Sequence, residues 1–494
     1  MAPGQRGAKP DAPAVFAYAE LDIASLQARM ASGRLDSRTL TRAYLARIQA
    51  LNHRGPSLHA ILELNPHAMA EASALDAERR AGHVRGPLHG IPVLVKGNID
   101  VTPLANSAGS LALQNHRPTQ DADLVMRLRK AGAVILGTAN LSEWANFRST
   151  HASSGWSALG GMTRNPYALD HSACGSSSGT AVAVAANLAV AGIGTETDGS
   201  ILCPAALNGV VGIKPGRGEV SQDGIIPVSP MQDTAGPIAR SVHDAALVLD
   251  AIRLPGTGSP ATFNVDSLRG ARFGVLRGRM GRSPATDAVM ERAITTLREA
   301  GAIVVDTNLA TDRQWDDDEF SAMLGEFKVA LNQYLTGVTH GPRSLRELIA
   351  FNRAHANREL AWFDQDIFER AEATQGLDRA ARERATRLAG VEGIDATLAK
   401  DHLDVLIAPV TGPAWTRDLI NGDHFPGGGG YSAAAIAGYP SLTVPMGQVH
   451  GLPVGLMMMA NAQGEARLLQ LADAFEQHAR ARRPPTFPTS VNGD

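Results

Sequence analysis

The stretch GSSSGTAVAVAANLAVAGIGTETDGS, Gly175 to Ser200, has glycine and serine clusters at both ends and a small-residue apolar run between them. It contains no histidine. A serine hydroxyl is a weak nucleophile and needs an adjacent base, so a catalytic serine here must pass its proton to another kind of residue. A phosphate cradle would need Gly-Lys-Ser/Thr, and a dinucleotide site would need its own glycine fingerprint; neither is present. Gly175 to Gly179 formally fits the G-x-S-x-G elbow with Ser177 at its centre, but an elbow follows a strand directly. What precedes it, TRNPYALDHSA, reads as turn and loop. The third reading uses both ends together, pairing Ser176 with Ser200. The run Gly179–Gly194 between them is too short, and too polar at Asn187, for a membrane span of about 20 residues. It reads as a buried helix.

Outward from this stretch, strand and helix patterns alternate. DSRTLTRAYLARIQAL is an amphipathic helix, with Ser37 as the expected cap and Leu40, Tyr44, Ile48 and Leu51 on one face. GIPVLVKGNID reads as a buried strand from Ile91 to Val95 that ends at Lys96. AGAVILGTANLSEWANF reads as a strand, Ala133 to Leu136, followed by a helix. RFGVLR and AIVVDT are strands flanking a helical DAVMERAITTLREA, and DVLIAPV, PSLTVPMG and LPVGLMMMA are strands near the end. This alternation predicts α/β layers around a largely parallel sheet. Residues 313–400 are rich in charge and helix formers and read as a helical excursion over one face. Core strands precede and follow it, so one continuous domain is expected over 18–494, after a flexible tail at 1–17.

Of the 494 residues, 46 are Lys or Arg and 49 Asp or Glu, a net charge of −3. That balance gives no reason to expect a nucleic acid or an anionic membrane as partner. The N-terminal residues hold no apolar run of signal-peptide length, which leaves cytoplasm and a mature exported form both open. The only two cysteines, Cys174 and Cys203, make neither a disulfide framework nor a zinc site and read as small buried thiols near the two serines.

The two serine clusters, with LHGIPVLVKGN, TRNPY, DTAGPIARSVHDAA, DVLIAPV and AGYPSLTVPMG…GLPVGLMMM in the same order, resemble the amidase signature family from about Leu21 to Arg483. The resemblance implies a single domain with a mixed, twisted sheet covered by helices on both faces. It also implies a Ser–Ser–Lys triad: Ser200 as nucleophile, Ser176 in a cis peptide as the bridge, and Lys96 as base. The backbone N–H groups of Thr197, Asp198, Gly199 and Ser200 would hold the oxyanion, with Gly175 and Ser177 as the supporting loop. Elementary chemistry agrees. Lysine serves as a base only when neutral, so burial must lower its pKa well below about 10.4, and Lys96 closes an apolar strand.

Several positions depart from the family pattern: Gly97, Glu196, Asp198, Leu202, His171, Ala173 and Cys174. Asp198 stands where the family has glycine, and a carboxylate there would repel an oxyanion unless its side chain points elsewhere. CGSSSG, GTETDGSI, NLSEWANFR, QDGIIPVS and GYSAAAIAGYPSLTVPMG are similar to one branch, the bacterial peptide amidases. That similarity implies hydrolysis of a peptide's C-terminal carboxamide, with no metal, cofactor or obligate protein partner. The alternatives are a general amidase of small amides, the ammonia-supplying part of an amidotransferase, and a non-enzymatic binding protein.

Overall fold

Apolar runs that are buried along their whole length mark the strands at the middle of the fold. In the computed structural model, which describes residues 16–258 and 260–491, such runs include β2 (Pro92–Lys96), β3 (Val134–Ala139) and β6 (Ala191–Glu196). Continuous burial of this kind belongs to strands covered on both faces. The remaining strands are β1 (Ile61–Leu64), β4 (Trp156–Ser157), β5 (Gly161–Met162), β7 (Val211–Lys214), β8 (Thr234–Ala239), β9 (Arg272–Leu276), β10 (Ile303–Thr307), β11 (Val405–Pro409), β12 (Ser441–Val449) and β13 (Leu452–Met459). Eleven of the thirteen strands among the described residues form one sheet in the order β1-β3-β2-β6-β8-β7-β12-β13-β11-β9-β10, and β4 pairs with β5 alone.

The sheet is mixed rather than largely parallel. Parallel pairs occur on the two flanks, β3-β2-β6 and β11-β9-β10, where helices connect the strands. The centre, from β6 through β8, β7, β12 and β13 to β11, is antiparallel. β12 and β13 are joined by a tight turn at His450 and Gly451, which forces that pair to be antiparallel.

Local expectations are corrected at three places. The helix Ser37–Leu51 is capped by Asp36, whose carboxylate accepts the Thr39 N–H at 2.6 Å; Ser37 is its first residue. The small-residue run is only half a helix. The helix spans Ser178–Ala185, Asn187 turns left-handed at φ 57°, and the chain enters β6 between β2 and β8. The segment after β3 is not a helix but a short 3₁₀ turn, Glu143–Asn146, with Trp144, Ala145 and Asn146 at φ 52°, 55° and 69°.

The tail expected at 1–17 lies outside the described residues except for Phe16 and Ala17. The Phe16 ring packs edge-on against Tyr44 with centroids 5.1 Å apart. Residues 313–400 include the helices Asp316–Thr336, Leu345–Ala354, Asp366–Glu372 and Arg379–Ala389. Phe327, Leu331 and Phe368 from this group pack on Trp144 and Phe147 to form a core separate from that of the sheet. Among the described residues no helix is long and apolar enough to cross a membrane.

Candidate active site

β2 delivers Lys96 at its C-terminal end, where both neighbours are strands and no water reaches the side chain (0% exposed). Lys96 Nζ lies 2.7 Å from Ser176 Oγ, 2.8 Å from Thr195 Oγ1 and 3.1 Å from Thr195 O. Burial lowers its pKa to about 7, against the opposing pull of the Glu196 and Asp233 charges.

The loop before the helix Ser178–Ala185 brings Ser176 to this lysine. The Gly175–Ser176 peptide is cis. Gly175 has no room for a side chain, since a Cβ there would sit 2.1 Å from Ser142 Oγ. Ser142 N–H donates to Ser176 O at 3.0 Å, and Ser178 Oγ to Cys174 O at 2.6 Å. Ser177 serves both serine loops. Its N–H donates to Ser200 O at 3.1 Å, and its hydroxyl donates to Thr195 O at 3.1 Å and accepts the Thr195 N–H at 3.2 Å.

Ser200 sits in the turn between β6 and the helix Leu202–Leu207. Glu196 holds that turn: its carboxylate accepts the N–H groups of Ile201 at 2.7 Å and Leu202 at 3.0 Å. The Gly199 N–H also stabilises the Glu196 anion. Among the described residues, the N–H groups of Thr197, Asp198 and Ser200 have no acceptor within the protein. Gly199 has φ 80°, and a Cβ on it would lie 2.3 Å from the Tyr431 ring, so only glycine fits. The Ser200 hydroxyl has no protein hydrogen-bond partner among the described residues. Catalytic hydrogen bonds often tighten only once substrate is bound.

Ser200, Gly199 and Gly175 line a cavity of about 180 Å³ walled by Phe147, Met323 and Tyr431. It adjoins a larger, charged cavity of about 420 Å³, which shares Asp198, Phe425 and Tyr431 with it and adds Arg279, Arg282 and Glu319. Asp198 therefore stands at the junction. Its Oδ2 accepts from Ser432 Oγ at 2.9 Å, away from the turn. Burial, and then the neighbouring Glu319 charge, hold this carboxyl well above the usual range.

The two cysteines are not thiols: Cys174 and Cys203 are joined in a disulfide across a separation of 29 residues. The bond lies in the cavity wall and ties the Ser176 loop to the helix that follows Ser200. Nothing in their spacing signals it; the pairing comes from the approach of the two loops. Thr195 and Asn98 also join the site without having stood out in the sequence. Asn98 Nδ2 donates to Thr195 Oγ1 at 3.1 Å behind the lysine, and both residues sit in strand-end motifs that carry no catalytic signal of their own. Among the described residues, His151, Asp364 and Asp366 have ligand-type atoms within 4.8 Å of one another. The two carboxylates already accept from Ser149 and Thr150, and none of the three residues lines the cavity.

A family model described as Amidase matches residues 39–469. The native peptide amidase of Stenotrophomonas maltophilia superposes with a TM-score of 0.91 at 55% identity, over 96% of this chain and all of that one (100%). An amidase family protein of Bacillus anthracis superposes with a TM-score of 0.84 at 33% identity, over 94% of this chain and 92% of that one. The "Probable amidase" of Arabidopsis thaliana is 37% identical over 96% of this chain and 92% of its own.

Proposed function

The chain belongs to the amidase family, hydrolases of amide C–N bonds, and from that premise we propose that it removes the C-terminal carboxamide of peptides, giving a free acid and ammonia. The observation that carries the chemistry is the 2.7 Å contact between Lys96 Nζ and Ser176 Oγ in full burial. The peptide substrate rests on the likeness, end to end, to a peptide amidase structure.

In this reading neutral Lys96 takes the Ser176 proton as Ser176 takes that of Ser200. The Ser200 oxygen attacks the carboxamide carbon. The oxyanion that forms faces the free N–H groups of Thr197, Asp198 and Ser200, donors already fixed in place by the Glu196-held turn. Gly199 supplies the space for this approach. The proton returns through Ser176 to the departing nitrogen, the C–N bond breaks, and ammonia leaves an acyl ester on Ser200. Water then attacks the ester by the same relay run in reverse. The helices within 313–400 cover the site in this proposal, because Glu319, Phe320 and Met323 of Asp316–Thr336 line the two cavities.

The test compares ammonia release from one peptide as its C-terminal amide and as its C-terminal acid. Only the amide should release ammonia, with internal bonds intact by mass. Ser200→Ala should lower kcat by at least about 10³-fold, as for other activated serine nucleophiles. Turnover of small aliphatic amides with the peptide amide untouched would replace this reading with a general amidase.

A further inference from the structure

A peptide amide brings three N–H groups close to its reacting carbon, two on the carboxamide nitrogen and one on the α-nitrogen. Of the residues lining the Ser200 cavity, two have a buried acceptor oxygen without a partner among the described residues: Asn146 Oδ1 and Asp198 Oδ1. Buried acceptors are nearly always paired, so each unpaired one needs a reason. Asn146 is also the last of three residues in left-handed backbone, at φ 52°, 55° and 69°. Asparagine tolerates that region, but Trp144 and Ala145 do so only at a cost, and such cost collects at functional sites.

We propose that Asn146 and Asp198 are specificity-determining acceptors that read the N–H groups on either side of the scissile bond. Asp198 lines both cavities, so its free oxygen meets the α-N–H of the residue that arrives through the outer, charged one. Asn146 lines only the inner cavity and meets the carboxamide nitrogen. The substrate class is then a primary amide on a residue with an acylated α-nitrogen. An internal peptide bond has one N–H where a carboxamide has two, and its second substituent displaces the hydrogen that Asn146 reads. A simple alkyl amide leaves Asp198 unpaired. Sites built around hydrogen bonds reject analogues lacking the partner far more strongly than apolar pockets do.

This inference rests on the peptide-amide reading above. The experiment measures kcat/KM for N-acetylphenylalaninamide, its N-methylamide, and 3-phenylpropanamide, which lacks the α-N–H. The wild-type protein should prefer the first over each of the others by about 100-fold or more. Asp198→Gly should shrink the preference over 3-phenylpropanamide by about tenfold or more, and Asn146→Gly the preference over the N-methylamide by a similar factor. Glycine suits the Asn146 backbone. Ratios unchanged in both variants, with N-acetylphenylalaninamide still hydrolysed, overturn the inference and leave the peptide-amide reading standing. Failure of the wild type to hydrolyse N-acetylphenylalaninamide overturns both. If the variants do not fold, the wild-type series decides: 3-phenylpropanamide turned over as fast as N-acetylphenylalaninamide overturns the role of Asp198.

Discussion

Lys96 has three oxygen neighbours, Ser176 Oγ, Thr195 Oγ1 and Thr195 O. An ammonium can donate to all three; a neutral amine donates to two and offers a lone pair to the third. The base requires the second state, and Ser176 Oγ is the neighbour that leads toward Ser200. Burial lowers the lysine pKa to about 7. The charged form prevails below that value, so kcat/KM for a peptide amide should rise with pH through about 7 and then level off. An acid limb near 4 instead, the ordinary range of a carboxyl group, would give the base to another residue. Beside the lysine, Gly97, one of the departures from the pattern of the resembled family, is closely packed. A Cβ there would fall 2.6 Å from Leu62 Cδ1 and 3.0 Å from Ala139 O, so a larger residue requires the Leu62 side chain to turn aside and sits tight against the β3 backbone.

Two short elements carry the two serines, and the Cys174–Cys203 disulfide is the covalent link between them. Closing a loop of this length removes conformational freedom mainly from the unfolded chain, worth about 3.6 kcal/mol. The Cys174→Ser/Cys203→Ser double variant should therefore lose about that much stability in urea unfolding. A loss under about 1 kcal/mol would mean that the surrounding hydrogen bonds alone hold the loops. The sequence made Lys96, Ser176 and Ser200 legible because each lies in an ordered motif at a strand or helix end. It did not disclose the disulfide, since two cysteines 29 residues apart carry no geometric signal until the fold brings them together. The run Gly179–Gly194 misled for a different reason. Alanine and valine suit a buried helix and a buried strand alike, and the left-handed Asn187 that divides them is decided by strand pairing. Glu143–Asn146 misled because a helix-like pattern there is overridden by burial of Trp144 against Phe368.

Across the whole molecule, the α/β class was legible from alternation, while the antiparallel centre was not, because strand direction depends on connections that periodicity does not encode. The same holds for how the helices within 313–400 reach the site. Arg382, on Arg379–Ala389, donates to both oxygens of Glu326 at 2.8 Å and to Gln232 Oε1 at 2.5 Å. Gln232 donates in turn to Glu319 Oε1 at 2.6 Å and to Thr197 O at 3.1 Å, at the start of the turn that carries Ser200. One buried guanidinium thus couples the helical layer to the turn. Breaking a buried pair strands a charge, whereas replacing both partners by apolar groups is often neutral. Arg382→Met should cost about 3–5 kcal/mol in urea unfolding. It should also lower kcat more than it raises KM, since Gln232 loses its anchor and Thr197 its restraint. Arg382→Met combined with Glu326→Leu should recover most of the stability but not the kcat, because the apolar pair cannot hold Gln232. Recovery of both together would show that the network stabilises the helical layer without positioning the turn.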